Sequence, residues 1–249
     1  MIEEILDIQT MDGVMETFVV RPERDGPHPV VLFMMDAPGI REELHEMARR
    51  LATVGFFVIQ PNLYYRAGRD YKNFGPNVLE EGHSARERMR TVRTKMTIPP
   101  VMTDIGTMIE WADAHPDTRT GGLVGTHGYC MSGPYAIAAA ARFPDRIAAA
   151  ASFYATHIIS DAEESPHLNL AKVKGELYMS FAEYDDLAPP EMVAEMGRQF
   201  DASGATGELE IQLGVHHGFA FPERWCYDKS AAERHWERLI ALYRRCLDL

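Results

Sequence analysis

Cysteine is scarce in this chain of 249 residues, and so are long apolar runs and basic residues. The three cysteines, Cys130, Cys226 and Cys246, are an odd number at irregular spacing, which fits neither a disulfide framework nor a zinc site. No apolar run reaches the roughly 18 residues of a membrane span. Acidic residues outnumber basic ones by 37 to 25, and the net charge of −12 argues against binding to nucleic acid or to an anionic membrane.

The amino-terminal sequence and the histidines bear on location and cofactors. The start, MIEEILDIQT, is acidic and alternating, unlike a secretory signal peptide. Together with the low cysteine content, this leads us to expect a reducing, cytoplasmic location. Several histidines have no partners at metal-ligand spacing, so we expect neither a metal nor another cofactor. These histidines are His45, His83, His115, His157 and His167.

Residues 66–95 are basic although the whole chain is acidic. They carry eight basic and four acidic residues, a net charge of +4 against −16 for the remainder. The ordinary interpretation is a solvated helix face. The alternative is that one or two of these arginines bind a small anionic substrate, because a guanidinium group binds a carboxylate in bidentate fashion.

Apolar runs suited to buried strands alternate with segments of helical periodicity. This alternation indicates a mostly parallel sheet with helices on both faces, and no linker or repeat divides the chain. We therefore predict one α/β domain over residues 1–249. Residues 62–97 have weak periodicity and high charge, and we predict an irregular excursion or lid there. The predicted strands are 2–9, 14–21, 29–35, 56–60, 121–126, 147–154, 176–181 and 208–213, and the predicted helices are 42–54, 99–114, 135–143, 190–202 and 230–246.

Residues 125–134, Gly-Thr-His-Gly-Tyr-Cys-Met-Ser-Gly-Pro, join a predicted strand to a predicted helix. This layout places Cys130 at a sharp turn, where a nucleophile is clear of the sheet and a helix N-terminus points at any oxyanion formed there. Gly128 lets the turn close without a Cβ clash, and Ser132 replaces the glycine that usually follows the nucleophile by two residues. We interpret the motif as a nucleophile elbow. The alternative is a buried structural cysteine in an ordinary turn.

Polar residues follow the predicted strands at the edge where parallel sheets bind ligands. Cys130 follows one strand, and the pair Asp185-Asp186 follows another. The pair His216-His217 follows the last strand. A thiol, a carboxylate and an imidazole in this chain order are typical of an α/β-hydrolase triad. We prefer Asp185 and His217 within the two pairs; the alternatives are turn-forming aspartates and an ordinary loop histidine.

Five stretches of the chain resemble the dienelactone hydrolase (carboxymethylenebutenolidase) family of the α/β-hydrolase superfamily. They occur at collinear spacing through nearly the whole chain, and the elbow with the late His-Gly-Phe-Ala is fairly specific. The resemblance implies an α/β-hydrolase fold, cofactor-free cleavage of a small ester or lactone, and a triad of Cys130, Asp185 and His217. It also implies that the backbone N–H groups of Ala37 and Met131 form the oxyanion hole. The matching stretches are Asp36-Ala37-Pro38-Gly39-Ile40, residues 55–64, Gly128-Tyr129-Cys130, residues 185–189 and His217-Gly218-Phe219-Ala220.

Two positions depart from the family pattern. The family places a Glu after the first buried strand, where it hydrogen-bonds the resting thiol, and this position is Asp36 here. The dienelactone-cleaving members carry an Arg four residues past the catalytic His to hold the substrate carboxylate. Here that residue is Phe221, and Arg224 comes three residues later. We expect Asp36 to orient the thiol, and the candidate substrate contacts are Arg86, Arg90, Arg224, Phe221 and Tyr154.

The sequence therefore predicts a hydrolase that cleaves a small ester or lactone through an acyl-thioester intermediate on Cys130. The main alternative is a non-catalytic protein of the same fold that binds a small ligand or a partner, and the complete triad argues against it. A redox-active Cys130 is a second alternative, but no resolving cysteine lies near it in the sequence.

Overall fold

The computed structural model describes residues 1–24 and 26–247, which form eight strands and seven α-helices. The strands are β1 (Ile2–Thr10), β2 (Gly13–Arg21), β3 (Val30–Met34), β4 (Phe57–Pro61), β5 (Val124–Tyr129), β6 (Ile147–Phe153), β7 (Glu176–Tyr184) and β8 (Gly207–His216). The helices are α1 (Glu42–Val54), α2 (Arg86–Arg93), α3 (Ile98–Ala114), α4 (Gly133–Arg142), α5 (Pro166–Asn169), α6 (Pro190–Ser203) and α7 (Lys229–Cys246). Short 3-10 helices cover Tyr65–Ala67, Arg69–Tyr71, Cys130–Ser132 and Leu170–Lys172.

The eight strands form one sheet in the order β1-β2-β4-β3-β5-β6-β7-β8. β1 and β2 are an antiparallel hairpin, and β2 also pairs antiparallel with β4. All pairs from β4 to β8 are parallel. The carboxyl ends of these six strands therefore share one edge of the sheet, which is where open α/β sheets bind ligands.

The central strands are buried because helices cover both faces of the sheet. Every residue of β3, β4 and β5 is buried, as expected for strands covered on both sides. Helix α7 lies against β5 so closely that a Cβ at Gly125 would be 2.7 Å from the Tyr243 ring. Helix α4 packs on β5 and β6 through alanine-rich surfaces. Small side chains thus allow the helices to approach the strand that carries the candidate nucleophile.

The structure confirms the predicted fold class, and the ends of the predicted elements lie within three residues of the observed ones. Helix α1 begins and ends where predicted. Strand β5 is displaced by three residues, since it runs from Val124 to Tyr129 instead of over 121–126. Its polar second half pairs with β3 and β6 on either side. Tertiary pairing therefore overrides the weak strand propensity of this glycine-containing stretch.

Residues 62–97 are less irregular than predicted, because they contain α2 and two of the 3-10 helices. Four of the eight residues of α2 are arginine, and only Met89 and Val92 mark its buried face, so its periodicity is weak. The beginning of the segment is anchored to α3. There, Asp104 accepts hydrogen bonds from Arg66 at 2.7 Å and from the Tyr65 hydroxyl at 2.8 Å.

Candidate active site

Cys130 lies at a strained turn between β5 and α4. Strand β5 leads directly into the 3-10 helix Cys130–Ser132, and α4 follows at once. Cys130 has a φ of 54°, in the left-handed region that residues other than glycine rarely adopt. A Cβ at Gly128 would lie 2.2 Å from the carbonyl oxygen of Ser132, so only glycine fits there. The backbone therefore has the geometry of a nucleophile elbow.

Ser132 occupies the position where the elbow motif usually has glycine, and its hydroxyl secures the turn. Ser132 Oγ accepts a hydrogen bond from the N–H of Tyr129 at 3.0 Å and donates one to the carbonyl oxygen of Met34 at 3.1 Å. The turn is thereby linked to β3. The close packing that needs glycine is found one residue later, because a Cβ on Gly133 would lie 2.6 Å from the Cβ of Ala155.

His217 and Asp185 form a short hydrogen bond at the ends of β8 and β7. The distance from His217 Nδ1 to Asp185 Oδ2 is 2.7 Å, and the Asp185 side chain is completely buried. The other carboxylate oxygen of Asp185 accepts the N–H of Leu187 at 2.9 Å. Because Asp185 binds Nδ1, Nε2 is the nitrogen of His217 that remains for proton transfer.

The alternative residue of each pair lies outside this contact. Asp186 is exposed. His216 is also exposed, and its ring centroid lies 5.1 Å from the rings of both Tyr184 and Trp225. The structure therefore brings together the preferred member of each pair.

The electrostatics of the site favour a thiolate–imidazolium pair. Burial alone would raise the pKa of Cys130, but His217, Arg93 and Arg224 outweigh burial, and the pKa of the thiol falls below its ordinary value. Burial alone would lower the pKa of His217, whereas the Cys130 thiolate and the hydrogen bond to Asp185 raise that pKa to about 9. Nε2 of His217 is buried and makes no hydrogen bond of regular geometry with residues 1–24 or 26–247.

The backbone N–H groups of Ala37 and Met131 lie near the carboxyl edge of the sheet, and both residues are buried. The Ala37 N–H donates to no backbone carbonyl or side chain in the described part of the chain. Met131 lies in the 3-10 helix Cys130–Ser132, and N–H groups in the first turn of a helix have no partner within that helix. The Tyr64 hydroxyl donates to the carbonyl oxygen of Ala37 at 2.8 Å and contacts Met131 Sδ at 3.3 Å. Tyr64 therefore links the two candidate oxyanion donors. We did not predict this role for Tyr64; its position just after β4 was the available signal.

Asp36 is held by two arginines and not by the thiol. Its buried carboxylate accepts hydrogen bonds from Arg41 at 2.7 and 3.3 Å and from Arg224 at 2.5 Å. Within the described residues, no hydrogen bond joins Asp36 to Cys130. The expected thiol contact is thus replaced by a buried ion network, because the two guanidinium groups occupy both carboxylate oxygens.

Arg41 extends this network to Glu43, and neither residue was predicted as part of the site. Arg41 donates to Glu43 at 2.9 and 2.6 Å, and the other oxygen of Glu43 accepts the N–H of Glu223 at 2.8 Å. Two arginines and two carboxylates therefore balance in charge, and they join α1 to the loop after β8. Arg41 stands at the N-cap of α1, where a cation opposes the helix dipole. That unfavourable position was a sequence signal that Arg41 has a specific partner.

Phe221 and Tyr154, which we predicted as substrate contacts, support other side chains of the site. The centroid of the Phe221 ring lies 4.9 Å from the guanidinium carbon of Arg41 and 5.0 Å from that of Arg224. The Tyr154 ring meets His217 edge-on at 5.1 Å. The Tyr154 hydroxyl is buried without a hydrogen-bond partner among the described residues. Phe221 thus stacks on arginines and does not supply the carboxylate contact of the family pattern.

Four of the six arginines of the basic segment fall into two groups. Arg66 binds the buried carboxylate of Asp104, whereas Arg69 forms an exposed ion pair with Asp7, so only Arg69 fits the interpretation of a solvated side chain. Arg90 and Arg93 line a cavity beside the elbow. Arg86, another predicted substrate contact, is not among the residues that line this cavity.

Two cavities are lined by residues next to the buried Cys130, which itself lines neither of them. The larger has a volume of about 650 Å³, and Met131 and Arg93 are part of its lining. Thr156, also in its wall, donates its N–H to the carbonyl oxygen of Cys130 at 3.1 Å and accepts a hydrogen bond from Arg93 at 3.1 Å. The smaller cavity, of about 340 Å³, lies on the side of His217. The predicted substrate contact Arg224 lines this smaller cavity, although its guanidinium group is bound to Asp36.

Residues 1–24 and 26–247 also bear on metal binding and on membrane insertion. These residues contain no group of three or more His, Cys, Asp or Glu side chains that could hold a metal ion. None of the helices they form is both long and apolar enough to cross a membrane. All three cysteines are free thiols.

The strand order and the elbow at the carboxyl edge of the sheet place the protein in the α/β-hydrolase class. Residues 15–247 match the dienelactone hydrolase family, and the chain belongs to that family; it is therefore a hydrolase of ester or lactone type.

Among its relatives is a protein of Escherichia coli strain K12, provisionally named carboxymethylenebutenolidase, which is 26% identical over 240 residues, or 93% of this chain and 82% of that protein. A Synechocystis protein with the same provisional name is 23% identical over 91% of this chain and 89% of its own length.

Solved structures show the same fold. A provisionally named dienelactone hydrolase of Klebsiella pneumoniae superposes with a TM-score of 0.86 at 24% identity, covering 98% of both chains. The dienelactone hydrolase of Anabaena variabilis superposes with a TM-score of 0.70 at 16% identity, again over 98% of both chains. The architecture is therefore conserved at low sequence identity.

Proposed function

We propose that the protein hydrolyses a carboxylic ester or a lactone with Cys130 as nucleophile, His217 as proton carrier and Asp185 as the residue that orients His217. The observation that carries this proposal is the 2.7 Å His217–Asp185 hydrogen bond beside a cysteine held at a φ of 54°. The names of the relatives, carboxymethylenebutenolidase, support a lactone as one substrate. We further propose that the chain acts as one domain, with residues 62–97 as a lid over the site.

In the first half-reaction, the Cys130 thiolate attacks the carbonyl carbon, and the carbonyl electron pair moves onto oxygen. The resulting oxyanion accepts hydrogen bonds from the N–H groups of Ala37 and Met131, each worth on the order of 3 kcal/mol. The tetrahedral intermediate then collapses to a thioester and expels the alcohol oxygen. His217 gives that oxygen its Nε2 proton. With a lactone, the leaving oxygen stays attached to the acyl chain.

In the second half-reaction, the charge of the nucleophile is absent because Cys130 is acylated. The thiolate was what chiefly raised the pKa of His217, so burial now favours the neutral imidazole. Neutral His217 takes a proton from water, and the hydroxide attacks the thioester carbonyl. Collapse releases the carboxylic acid and restores the thiolate–imidazolium pair.

Arg93 is the lid arginine that we propose for contact with an anionic group of the substrate. It lines the larger cavity, and its charge helps to lower the pKa of Cys130. Arg90 lines the same cavity and is exposed. Replacing Arg93 by Gln should raise the KM for a carboxylated lactone more than for a neutral one. Arg69→Gln, which changes an arginine paired with a surface carboxylate, is the control.

The free cysteines fit a reducing compartment, and we propose the cytoplasm as the location. Recovery of an active thiol enzyme from the soluble cytoplasmic fraction would support this location. Recovery only from an oxidising compartment would contradict it.

The decisive experiment compares wild type, Cys130→Ala and Cys246→Ala on p-nitrophenyl butyrate and on a small lactone. Wild type and Cys246→Ala should turn over, and mass spectrometry after rapid acid quenching should find a butyryl group on Cys130. Cys130→Ala should lose at least a hundredfold in kcat/KM and carry no acyl group. Equal activity of all three proteins, or acylation at another residue, would show that Cys130 is not the nucleophile.

A further inference from the structure

The cavity beside Cys130 is much larger than a small lactone needs. Its volume is about 650 Å³, whereas a cavity of about 150 Å³ accommodates benzene. A single-ring substrate would therefore fill only a fraction of the space. Much of the lining is apolar: Met96, Ile98, Pro99, Met131, Pro134 and Ala162.

A second cavity, of about 640 Å³, adjoins the first one. Both are lined by Ile98, Pro99 and Glu164, so they share a wall at the beginning of α3. The second cavity continues between α3 and α4. Its apolar part includes Met102, Phe143 and the small residues Gly106, Ala138 and Ala141, and its polar part is formed by Thr103, Arg142, Glu163, Glu164, Asn169 and Lys172. Together the two cavities form a groove that leads from the elbow along α3, which we call the α3–α4 groove.

The chemistry assigns this groove to the acyl side of the substrate. The leaving oxygen must lie next to His217, which donates a proton to it. His217 lines the separate cavity of about 340 Å³ and not the α3–α4 groove. Met131, a candidate oxyanion donor next to Cys130, lines the α3–α4 groove. The group attached to the carbonyl carbon on the side away from His217 therefore enters this groove.

We infer that the substrate is an ester or lactone whose acyl part is a long apolar chain that lies in the α3–α4 groove. This inference rests on the proposed function and specifies its substrate class. The path along α3 from Ile98 to Gly106 is about 12 Å at 1.5 Å per residue. An extended chain advances about 1.2 Å per bond. That stretch alone takes about ten bonds, so an acyl chain that starts at Cys130 and first crosses the cavity beside Met131 needs clearly more than ten carbons to reach Gly106.

The test is a series of p-nitrophenyl esters with a constant leaving group: acetate, butyrate, octanoate, dodecanoate and hexadecanoate. Full burial of one methylene is worth about fourfold in binding. For a chain half exposed in an open groove, we expect about twofold per methylene, and hence a rise in kcat/KM of about tenfold or more from butyrate to octanoate.

Two variants should narrow the α3–α4 groove without touching the catalytic groups. Gly106→Leu places a side chain in the second cavity, and its Cβ would be 3.5 Å from the Phe143 ring, an ordinary contact. Thr103→Trp also places a side chain in the second cavity, and it starts from an exposed position. This variant can be measured even if Gly106→Leu fails to fold. The matched control is Gly197→Leu in α6, where a Cβ meets nothing within 4 Å.

Both variants should abolish most of the advantage of hexadecanoate over octanoate while they leave butyrate hydrolysis within about twofold of wild type, and Gly197→Leu should behave as wild type. The inference is overturned if wild type hydrolyses butyrate but gains nothing with chain length, or if both variants keep the full gain. In either case the proposed function stands. Absence of all ester and lactone turnover, unchanged by Cys130→Ala, would instead contradict the proposed function.

Discussion

Replacing Asp36 by Asn should destabilise the protein and yet make Cys130 more reactive. The Asp36 carboxylate is fully buried and binds both Arg41 and Arg224. Breaking a buried ion pair leaves an uncompensated charge and costs about 3–5 kcal/mol. For a chain of this size, 1 kcal/mol corresponds to about 2–4 °C in Tm, so Tm should fall by roughly 10 °C. A folding stability of about 5–15 kcal/mol leaves the variant folded at 25 °C.

The reactivity of the thiol should change through Arg224. Burial opposes the thiolate, but Arg224 is one of the cations that lower the pKa of Cys130. Once Asp36 is neutral, the charge of Arg224 is less compensated, so the pKa of Cys130 should fall further and alkylation by iodoacetamide at pH 7 should be faster. The rate must be measured on the Cys130 peptide by mass spectrometry, because Cys226 and Cys246 are also free thiols.

Arg224→Gln is the matched control for this experiment. It removes the other side of the same ion pair and should also lower Tm, but it should slow the alkylation of Cys130. Opposite changes in alkylation at similar losses of Tm would separate an electrostatic effect from general loosening. If both variants change alkylation in the same direction, or if Asp36→Asn leaves Tm unchanged, the ion network does not control the thiol.

Three further predictions concern the triad and the elbow. Asp185→Asn should lower kcat by about 10³- to 10⁴-fold, because the amide no longer holds the correct tautomer of the imidazole. The exposed Asp186→Asn should change kcat little. His217→Ala should lose activity to a similar extent and His216→Ala should not; a reversed order of kcat within either pair would place the triad one residue away. Ser132→Ala should cost about 1–3 kcal/mol in urea unfolding, since it leaves buried backbone groups at the turn without partners; a loss below about 0.5 kcal/mol would show that these hydrogen bonds do not stabilise the elbow.

The fold class could be predicted from the sequence because the pattern of apolar residues within each segment distinguishes buried strands from helices. Apolar runs located the buried strands, and the polar residues just after β7 and β8 could be assigned to one edge from the topology alone. The 2.7 Å contact between His217 and Asp185 is the outcome that this reasoning predicted. The strand pairing that extends β5 to Tyr129 could not be predicted, because it depends on neighbours that are distant in sequence.

The ion network around Asp36 could not be read from the sequence for a similar reason. Arg224 lies 188 residues after Asp36, so only the tertiary structure shows that their side chains meet. Arg41 is close in sequence, but its neighbours Glu42 and Glu43 offer equally plausible local partners. The choice between them is settled by burial: the Glu43 side chain is buried beside Arg41, whereas that of Glu42 is mostly exposed and binds Arg49.

The pKa of His217 should fall when Cys130 loses its charge, and this prediction tests the two half-reactions together. The pKa of His217 is raised to about 9, where burial acts against protonation and the Cys130 thiolate acts for it. Because pH 7 lies below a pKa of about 9, His217 is protonated there as long as the thiolate is present, and the lowered pKa of Cys130 favours that thiolate. Cys130→Ser presents a neutral hydroxyl, so the pKa of His217, measured by NMR titration, should fall well below 9 in that variant. The deacylation rate of wild type should likewise have its acid limb well below pH 9, because the thioester is also neutral. A His217 pKa that stays near 9 in Cys130→Ser would mean that Asp185 alone sustains the charge, and neutral His217 could then not activate water at pH 7.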